Sequence, residues 1–189
     1  MELYSTNSNV KKTELVDDKG SVVYRITTAS QLTTSQTTIS HVKPRSDTGI
    51  SVATVVGEVV WHTMDDDEIM LHGQHYDARN FVPNHGFTIA RREFKGTSGR
   101  AYYWVENVLH TSDGAEAARW HNKSRGFFKG QPHKAYLHVA DSEIQEDMDV
   151  VILTLVYHLS RSGDEVAGSM SIIPFSETDD ASPARRPSH

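Results

Sequence analysis

The sequence contains no cysteine. Disulfide bonds and thiolate metal sites are therefore excluded, and we expect a protein of the cytoplasm, where thiols stay reduced and disulfides are rare. Long hydrophobic runs are also missing, because the longest apolar stretch covers only residues 150–159, about half of the roughly 20 residues that a transmembrane helix needs. The opening residues MELYSTNSNV lack the basic and apolar regions of a signal peptide, so no secretion is expected.

Several signatures of common enzyme classes are absent as well. The sequence has no G-x-S-x-G elbow, no glycine-rich phosphate loop, no dinucleotide fingerprint and no H-E-x-x-H helix motif, which argues against an ordinary hydrolase, kinase or dehydrogenase and predicts no cofactor. The net charge is −6, so the molecule as a whole is not a general polyanion binder and no nucleic-acid partner is expected. These absences favour a protein without enzymatic activity.

Short strands separated by turns dominate residues 21–140. Several segments are rich in β-branched or aromatic residues and are bounded by glycine, proline or asparagine, which is typical of strands. The predicted strands cover residues 21–28, 36–43, 50–64, 68–72, 74–81, 86–94, 100–107, 116–121 and 134–140. Such a series predicts a mainly β protein, built as an antiparallel barrel or sandwich.

The period of the sequence changes after residue 141. Residues 147–162 read DMDVVILTLVYHLSRS, a stretch with no polar face at the period of either a helix or a strand. Ser142 and Gln145 match a capping box, and Arg161 and Gly163 are typical stop signals. We therefore predict one helix over residues 143–161, enclosed by the barrel. The prediction is a single domain over residues 1–175, followed by a disordered polar tail over residues 176–189.

Several short fragments, in this order along the chain, resemble the tubby C-terminal-like superfamily, which includes the LURP-one-related proteins and the phospholipid scramblases. The closer resemblance is to a domain-of-unknown-function family of small proteins from mushroom-forming (basidiomycete) fungi. The fragments are MELYSTNS, DKG, VYRI, TTI, GEVVWH, GRAYYW, ARWH and DVVILT. The resemblance implies a twelve-stranded barrel around a helix, but it supplies no established activity and no agreed functional residues. Residues 166–175 continue past the simplest form of that pattern.

A basic and aromatic loop is the first candidate site. Its residues are Arg119, Trp120, Lys123, Arg125, Phe127, Phe128, Lys129 and Lys134, with no acidic residue between residues 119 and 134. Cations attract anionic lipids and exposed aromatic side chains insert at a membrane interface. Tubby-type domains bind phosphoinositides, so the resemblance also implies that this loop binds anionic lipid. The alternative is a solvated basic turn between two strands.

Histidine and aromatic residues supply a second candidate, a pocket inside the barrel. It is made of Trp61, His62, Tyr103, Trp104, His121 and His158. The ligand would be a small hydrophobic molecule. His158 also has a simpler interpretation as a core histidine satisfied by hydrogen bonds. No metal site is predicted, because the scattered histidines lack a ligand spacing and the acidic run at residues 65–68 lacks that of a calcium loop.

Three hypotheses about function remain open at this stage. The first is a binding module without enzymatic activity that docks to anionic lipid or membrane surfaces through the loop at residues 119–134, as a peripheral membrane protein. The second is a small-molecule-binding or catalytic barrel, and the third is a protein-interaction scaffold. The sequence does not decide the oligomeric state.

Overall fold

The computed structural model describes residues 1–44, 51–86, 90–124 and 133–170. Three predictions lie partly or wholly outside these residues: half of the basic and aromatic loop, a further strand over residues 166–175, of which residues 166–170 are instead helical, and the tail at residues 176–189. The described chain forms twelve strands, a short helix, a 3₁₀ helix and one long helix. The strands are β1 (Glu2–Ser5), β2 (Thr13–Val16), β3 (Val22–Ser30), β4 (Thr34–Pro44), β5 (Ser51–His62), β6 (Glu68–Leu71), β7 (Gln74–Asp77), β8 (Arg91–Lys95), β9 (Ala101–Val105), β10 (Val108–Thr111), β11 (Glu116–His121) and β12 (Tyr136–Val139). The short helix is α1 (Ala78–Phe81), and the 3₁₀ helix Ser142–Asp147 leads into α2 (Met148–Met170).

All twelve strands belong to one antiparallel sheet. Its order is β7-β6-β5-β4-β3-β2-β1-β12-β11-β10-β9-β8. The first strand pairs with both β2 and β12, with Leu3 opposite Leu137 in the second ladder, so β1 joins the amino-terminal and carboxy-terminal halves of the sheet. Within the described residues no ladder joins β7 to β8. The mainly β architecture is thus confirmed, whereas the closed barrel is not formed by hydrogen bonds between those two edges.

Alternating side chains explain the strands. In β9 the sequence AYYWV places Tyr102 and Trp104 in the core and leaves Ala101, Tyr103 and Val105 on the other face, as the period of two along a strand requires. A bulge in β5 interrupts this alternation, because Ile39 pairs with Gly57 whereas Ser40 pairs with Val55. The extra residue, Val56, is buried. The sequence predicts a bulge at Gly57, one residue away.

Helix α2 is buried on every side over its first turns. Each residue from Val150 to His158 is buried, and several, Leu153 among them, are fully inaccessible to solvent. The helix contacts strands from both halves of the sheet, since Leu153 approaches Gly57 of β5 and Thr154 accepts a hydrogen bond from the indole nitrogen of Trp104 in β9 at 3.1 Å. The predicted C-terminal apolar helix is therefore confirmed, and the sheet curves around it.

The boundaries of this helix differ from the predicted ones. The N-cap is Asp141 rather than Ser142, because the carboxylate of Asp141 accepts from the backbone N–H of Glu143 at 2.8 Å, and the first turns are 3₁₀ in character. At the other end the helix continues through Gly163 to Met170. A glycine lowers helix propensity by only about 1 kcal/mol, so it does not by itself end a helix. No helix in the described part of the chain has the length and hydropathy needed to span a bilayer.

The sequence also misplaces several short elements. It does not predict β1, β2 or β10, each of only four residues, because a run of that length shows little periodicity. The predicted strand at residues 74–81 ends at Asp77, and α1 follows it. Asp77 caps this helix through the backbone N–H of Arg79, which donates to the carboxylate at 2.7 Å. An N-cap aspartate accepts from the first free N–H groups of a helix and so favours a turn at this point.

Candidate functional site

A groove of about 700 Å³ lies between the two ends of the sheet. One wall comes from β7, α1 and the residues that follow them, and the other from β8, β9 and Ser112. We call it the seam groove. Its volume falls within the range of small-molecule sites, about 300–1,000 Å³. The groove is lined by Tyr76, Asp77, Asn80, Phe81, Pro83, Arg91, Glu93, Phe94, Lys95, Ala101, Tyr102, Tyr103 and Ser112.

Two aromatic pairs form the apolar part of the seam groove. On one wall the rings of Tyr76 and Phe81 lie 4.7 Å apart, because α1 turns the chain so that Phe81 returns to Tyr76. On the other wall Phe94 and Tyr102, paired across β8 and β9, stack at 5.5 Å. Tyr76 and Phe81 are partly exposed and offer a rigid apolar surface to a ligand, whereas Phe94 and Tyr102 keep only 5% and 1% of their surface accessible and support the other wall from the core.

Charged residues of β8 border the groove on its outer side. The guanidinium of Arg91 lies 4.0 Å above the ring of Tyr103, and its Nε is 3.0 Å from the carboxylate of Glu93. Lys95 is exposed and makes no ion pair with any described residue. A cation that is not neutralised by a neighbour thus stands beside an aromatic surface, which suits a ligand with an apolar body and a negative group.

Asp147 holds the Tyr102 wall in place from the start of the long helix. Its carboxylate is buried and accepts three hydrogen bonds, at 2.8 Å from the Tyr102 hydroxyl and at 2.7 and 2.6 Å from the backbone N–H and hydroxyl of Ser98. Burial, the hydrogen bond and the negative charge of Asp147 all raise the pKa of Tyr102. The Tyr102 hydroxyl therefore stays protonated and acts as a donor rather than as a base.

A second polar cluster surrounds Asp149, two residues further along the chain. Its Oδ1 accepts from the hydroxyl of Tyr24 at 2.8 Å and lies 3.5 Å from Nδ1 of His41, while its Oδ2 lies 3.2 Å from Nε2 of His72. The rings of His41 and Tyr24 stack at 4.8 Å. Burial and the Asp149 charge raise the pKa of Tyr24, so its hydroxyl remains a donor. The cluster ties β3, β4 and the β6–β7 turn to the helix.

The predicted basic and aromatic loop is only partly described. Arg125, Phe127, Phe128 and Lys129 lie outside the described residues. Trp120 lies in the core with 6% of its surface exposed, so its ring does not reach a membrane surface. Arg119 forms an ion pair with Glu116, which neutralises its charge, whereas Lys123 and Lys134 are exposed.

The residues of the predicted histidine and aromatic pocket do not converge on one cavity. Tyr103 alone lines the seam groove. Trp61 stacks on Tyr157 at 5.5 Å, with His62 next to it in the chain, whereas His121 stacks on Tyr136 at 4.3 Å. His121 and Tyr136 lie on the opposite face of their strands from the buried Trp120 and Leu137, so they are far from the helix.

Trp104 and His158 do meet, but inside the packed core. Their rings stack at 5.8 Å, and Nε2 of His158 donates to the backbone carbonyl of Glu106. The Nδ1 atom of His158 is buried and has no hydrogen-bond partner among the described residues. Burial lowers the pKa of His158 to about 4, with a smaller contribution from the charge of Arg92. The imidazole is therefore neutral at pH 7 and forms part of the core.

The acidic run at residues 65–68 is divided between the core and the surface. Asp67 is buried and accepts hydrogen bonds from Nε and Nη2 of Arg161 in the long helix. Asp65, Asp66 and Glu68 are exposed. Among the described residues no group of three or more histidine or acidic side chains is arranged to hold a metal ion.

Sequence reasoning missed most of the residues that line the seam groove. Tyr76, Phe81 and Phe94 each lie in a predicted strand, but nothing in the sequence indicates that the two outer edges of the sheet face each other. The two signals available were the alternation that places Phe94 and Tyr102 on one face, and Asp77, whose capping role brings Phe81 back to Tyr76.

A family model for the family of unknown function DUF6593 matches residues 8–162. The match runs from the loop before β2 to the last described side chain of the long helix, so it includes both walls of the seam groove. The chain matches no curated protein and no solved structure. Because the model covers most of the chain, this protein belongs to the family of unknown function DUF6593.

Proposed function

We propose that this protein is a binding module without enzymatic activity that takes a small amphipathic molecule into the seam groove. The observation that carries the proposal is the groove itself, a cavity of about 700 Å³ with aromatic side chains on both walls. Ligand sites are concave and mostly apolar, with a few polar groups that fix the orientation of the ligand.

The charges at the rim indicate a ligand with a negatively charged group. Arg91 is balanced by Glu93 at 3.0 Å, and the carboxylate of Asp77 is engaged by the N–H of Arg79. Lys95 is the cation of the described lining that has no such partner. A fatty-acid-like molecule, with its chain against Tyr76 and Phe81 and its carboxylate near Lys95, matches both features.

The experiment compares two probes of equal length, decanoate and decanol, by titration followed with intrinsic fluorescence. We expect Ala101→Trp to abolish binding of both probes, because a large side chain at this lining position fills the groove. The matched control is Ala29→Trp, an exposed alanine of β3 that does not line it. Unchanged binding in Ala101→Trp would show that the probes bind elsewhere.

A charge reversal tests the orientation of the ligand. We expect Lys95→Glu to weaken the binding of decanoate by about tenfold, equivalent to about 1.4 kcal/mol, and to leave the binding of decanol unchanged. Lys19→Glu, in the exposed turn before β3, serves as the control for net charge. An equal loss of both probes in Lys95→Glu would contradict a role for charge and indicate a change of shape.

We also propose the finer architecture that the sequence resemblance implies, a twelve-stranded tubby-like barrel around a helix in a protein of fungal origin. Two findings support it: the single antiparallel sheet has twelve strands, and the helix is buried on all sides between Val150 and His158. In this proposal β7 and β8 are the two edges at which the barrel remains open, and the seam groove is that opening.

Docking to anionic lipid is a second candidate, favoured by one observation. Lys123 and Lys134 are both exposed, and the backbone bridge between Ser124 and His133 brings the two arms of the loop together. Each lysine or arginine near an anionic membrane surface contributes roughly 1 kcal/mol to the free energy of membrane binding. The proposal describes a cytoplasmic protein that binds membranes peripherally.

Vesicle sedimentation tests this second candidate. The wild-type protein should sediment with vesicles that contain a phosphoinositide at low salt, and Lys123→Glu with Lys134→Glu should remain in the supernatant. Lys19→Glu with Lys43→Glu changes the net charge equally at two exposed lysines away from this loop and should still bind. Failure of the wild-type protein to sediment would rule out this second function and would leave the proposal for the seam groove unchanged.

A further inference from the structure

The two longest strands extend beyond the rest of the sheet as a two-stranded ribbon. β4 and β5 pair from Thr34 opposite His62 to Pro44 opposite Ser51. On one side the β3–β4 ladder ends at His41, and on the other the β5–β6 ladder ends at Gly57. Residues 42–44 therefore pair only with residues 51–53, and residues 51–55 have no ladder on the β6 side. We call residues 42–44 and 51–55 the ribbon.

The ribbon leaves apolar side chains in solvent. All five residues from Ser51 to Val55 are exposed, although they alternate in direction along the strand. Val52 keeps 47% and Val55 keeps 54% of its surface accessible. A two-stranded hairpin alone is marginally stable in water, so an exposed ribbon of this kind gains stability from a partner.

The two edges of the ribbon differ in how well they are protected. The edge on β4 carries Lys43 and Pro44, a charge and a residue without a backbone N–H, and both are common devices against strand pairing. The edge on β5, residues 51–55, has the sequence SVATV, which contains neither charge nor proline. Its backbone groups have no partner strand within the described residues, and we call it the free edge.

We propose that the free edge is a self-association surface at which two copies of this chain pair as antiparallel strands around a two-fold axis. The axis is perpendicular to the ribbon, so each residue of one copy lies opposite a residue of the same face in the other. The two sheets then continue into each other through β5.

A second copy fits the free edge for reasons of charge and shape. An uncharged strand that pairs with itself places no like charges opposite each other, whereas like charges across a ladder are destabilising. A recess of about 360 Å³ adjoins the edge where the β6–β7 turn ends, lined by Val55, Val56, Gly57, Glu58, Met70, His72 and Gly73. The end of the partner's strand runs toward this recess. A five-residue contact is small, so the dimer should be reversible and depend on concentration.

Sedimentation velocity over about a hundredfold range of protein concentration tests the proposal, because a reversible dimer responds to dilution by mass action. The wild-type protein should shift from dimer to monomer on dilution. Val52→Lys with Val55→Lys should raise the dimer dissociation constant by about tenfold or more, because it places charges on both faces of the edge. Leu32→Lys with Met64→Lys is the control, since it also replaces two exposed apolar residues but lies outside the ribbon.

Cross-linking provides a measurement that does not depend on destabilising the protein. The chain has no cysteine, so a single introduced thiol is the only one present. Residues opposite each other in an antiparallel pair have Cβ atoms about 4.5–5.5 Å apart, within reach of a disulfide after small shifts. Ala53→Cys or Thr54→Cys, at the centre of the free edge, should form covalent dimers on oxidation, and Leu32→Cys should not.

Either of two results overturns the proposal. The first is a wild-type protein that stays monomeric at every concentration. The second is a dimer that Val52→Lys with Val55→Lys leaves intact, or that no thiol at the free edge cross-links.

Discussion

The hydroxyl of Tyr102 donates a hydrogen bond of 2.8 Å to the buried carboxylate of Asp147. This bond connects one wall of the seam groove to the start of the enclosed helix. The same carboxylate holds Ser98, so one side chain fixes the position of a strand, a turn and a helix. The wall of the groove is therefore held in place by a hydrogen bond to the core helix.

Replacing Asp147 should be costly for this reason. We expect Asp147→Ala to lower the free energy of unfolding by about 3 kcal/mol, because hydrogen bonds to a charged group contribute more than neutral ones and the donors are left unpaired. Urea unfolding followed by circular dichroism gives the value. Glu146→Ala, at the exposed neighbouring position, should change stability by less than about 0.5 kcal/mol. Equal effects in the two variants would contradict this account.

Gly96 leaves the space that Asp147 occupies. A Cβ atom at this position would collide with the carboxyl group of Asp147, so we expect Gly96→Ala to destabilise the protein by about 2 kcal/mol, as overpacking does. In an Asp147→Ala background the colliding atoms are gone, and most of that penalty should disappear. The thermal unfolding of the four proteins of the cycle provides the test. Purely additive effects would show that the two residues are independent.

Gly57 and Leu153 form a second close pair, between β5 and the helix. A Cβ on Gly57 would lie 3.1 Å from a methyl carbon of Leu153. We expect Leu153→Ala to cost about 2–5 kcal/mol as a cavity substitution, and Gly57→Ala to recover part of that loss in the double variant. Leu153→Asp should abolish soluble expression, because its charge is buried without a partner. A stable, folded Leu153→Asp protein would mean that the helix is not enclosed.

Acid should destabilise the protein partly through His158. Its pKa is about 4 in the folded state and about 6.5 when unfolded, so the unfolded chain binds more protons between these values. The contribution of the neutral imidazole is therefore complete above pH 6.5 and is lost as the pH falls toward 4, by up to about 3 kcal/mol.

The variant His158→Gln isolates this contribution. Glutamine keeps an N–H donor for the carbonyl of Glu106 but does not titrate, so the stability difference between the wild type and His158→Gln should shrink as the pH falls from 6.5 to 4. Free energies of unfolding in urea at several pH values measure it. A difference that stays constant with pH would contradict a neutral buried histidine.

The sequence predicts the central elements of the fold and not its closure. The apolar run at residues 150–159 predicts the enclosed helix because no charged residue interrupts it. The long β-branched segments predict β4 and β5 because they too are long enough to show a clear pattern. The short strands β1, β2 and β10 have too few residues to show a period, and the capping role of Asp141 competes with an equally good signal at Ser142.

The site could be predicted only in part, because it depends on contacts between distant parts of the chain. Asp149 meets Tyr24 across 125 positions, and the sequence explains Asp149 fully as a helix-start residue. Tyr76 and Tyr103 lie at opposite ends of the sheet order, and only the curvature of the sheet brings them to one groove. Trp120 and Trp104 resemble site residues by type, but strand alternation turns both into the core.

The central claim is that the seam groove binds a small amphipathic anion, and amide chemical-shift mapping tests it most directly. The protein labelled with ¹⁵N is titrated with decanoate. The account predicts saturable shifts concentrated in residues 76–83 and 91–103, with the largest changes near Lys95 and Tyr103, and their loss in Ala101→Trp. Shifts that do not saturate, or that cluster on another surface, would contradict it.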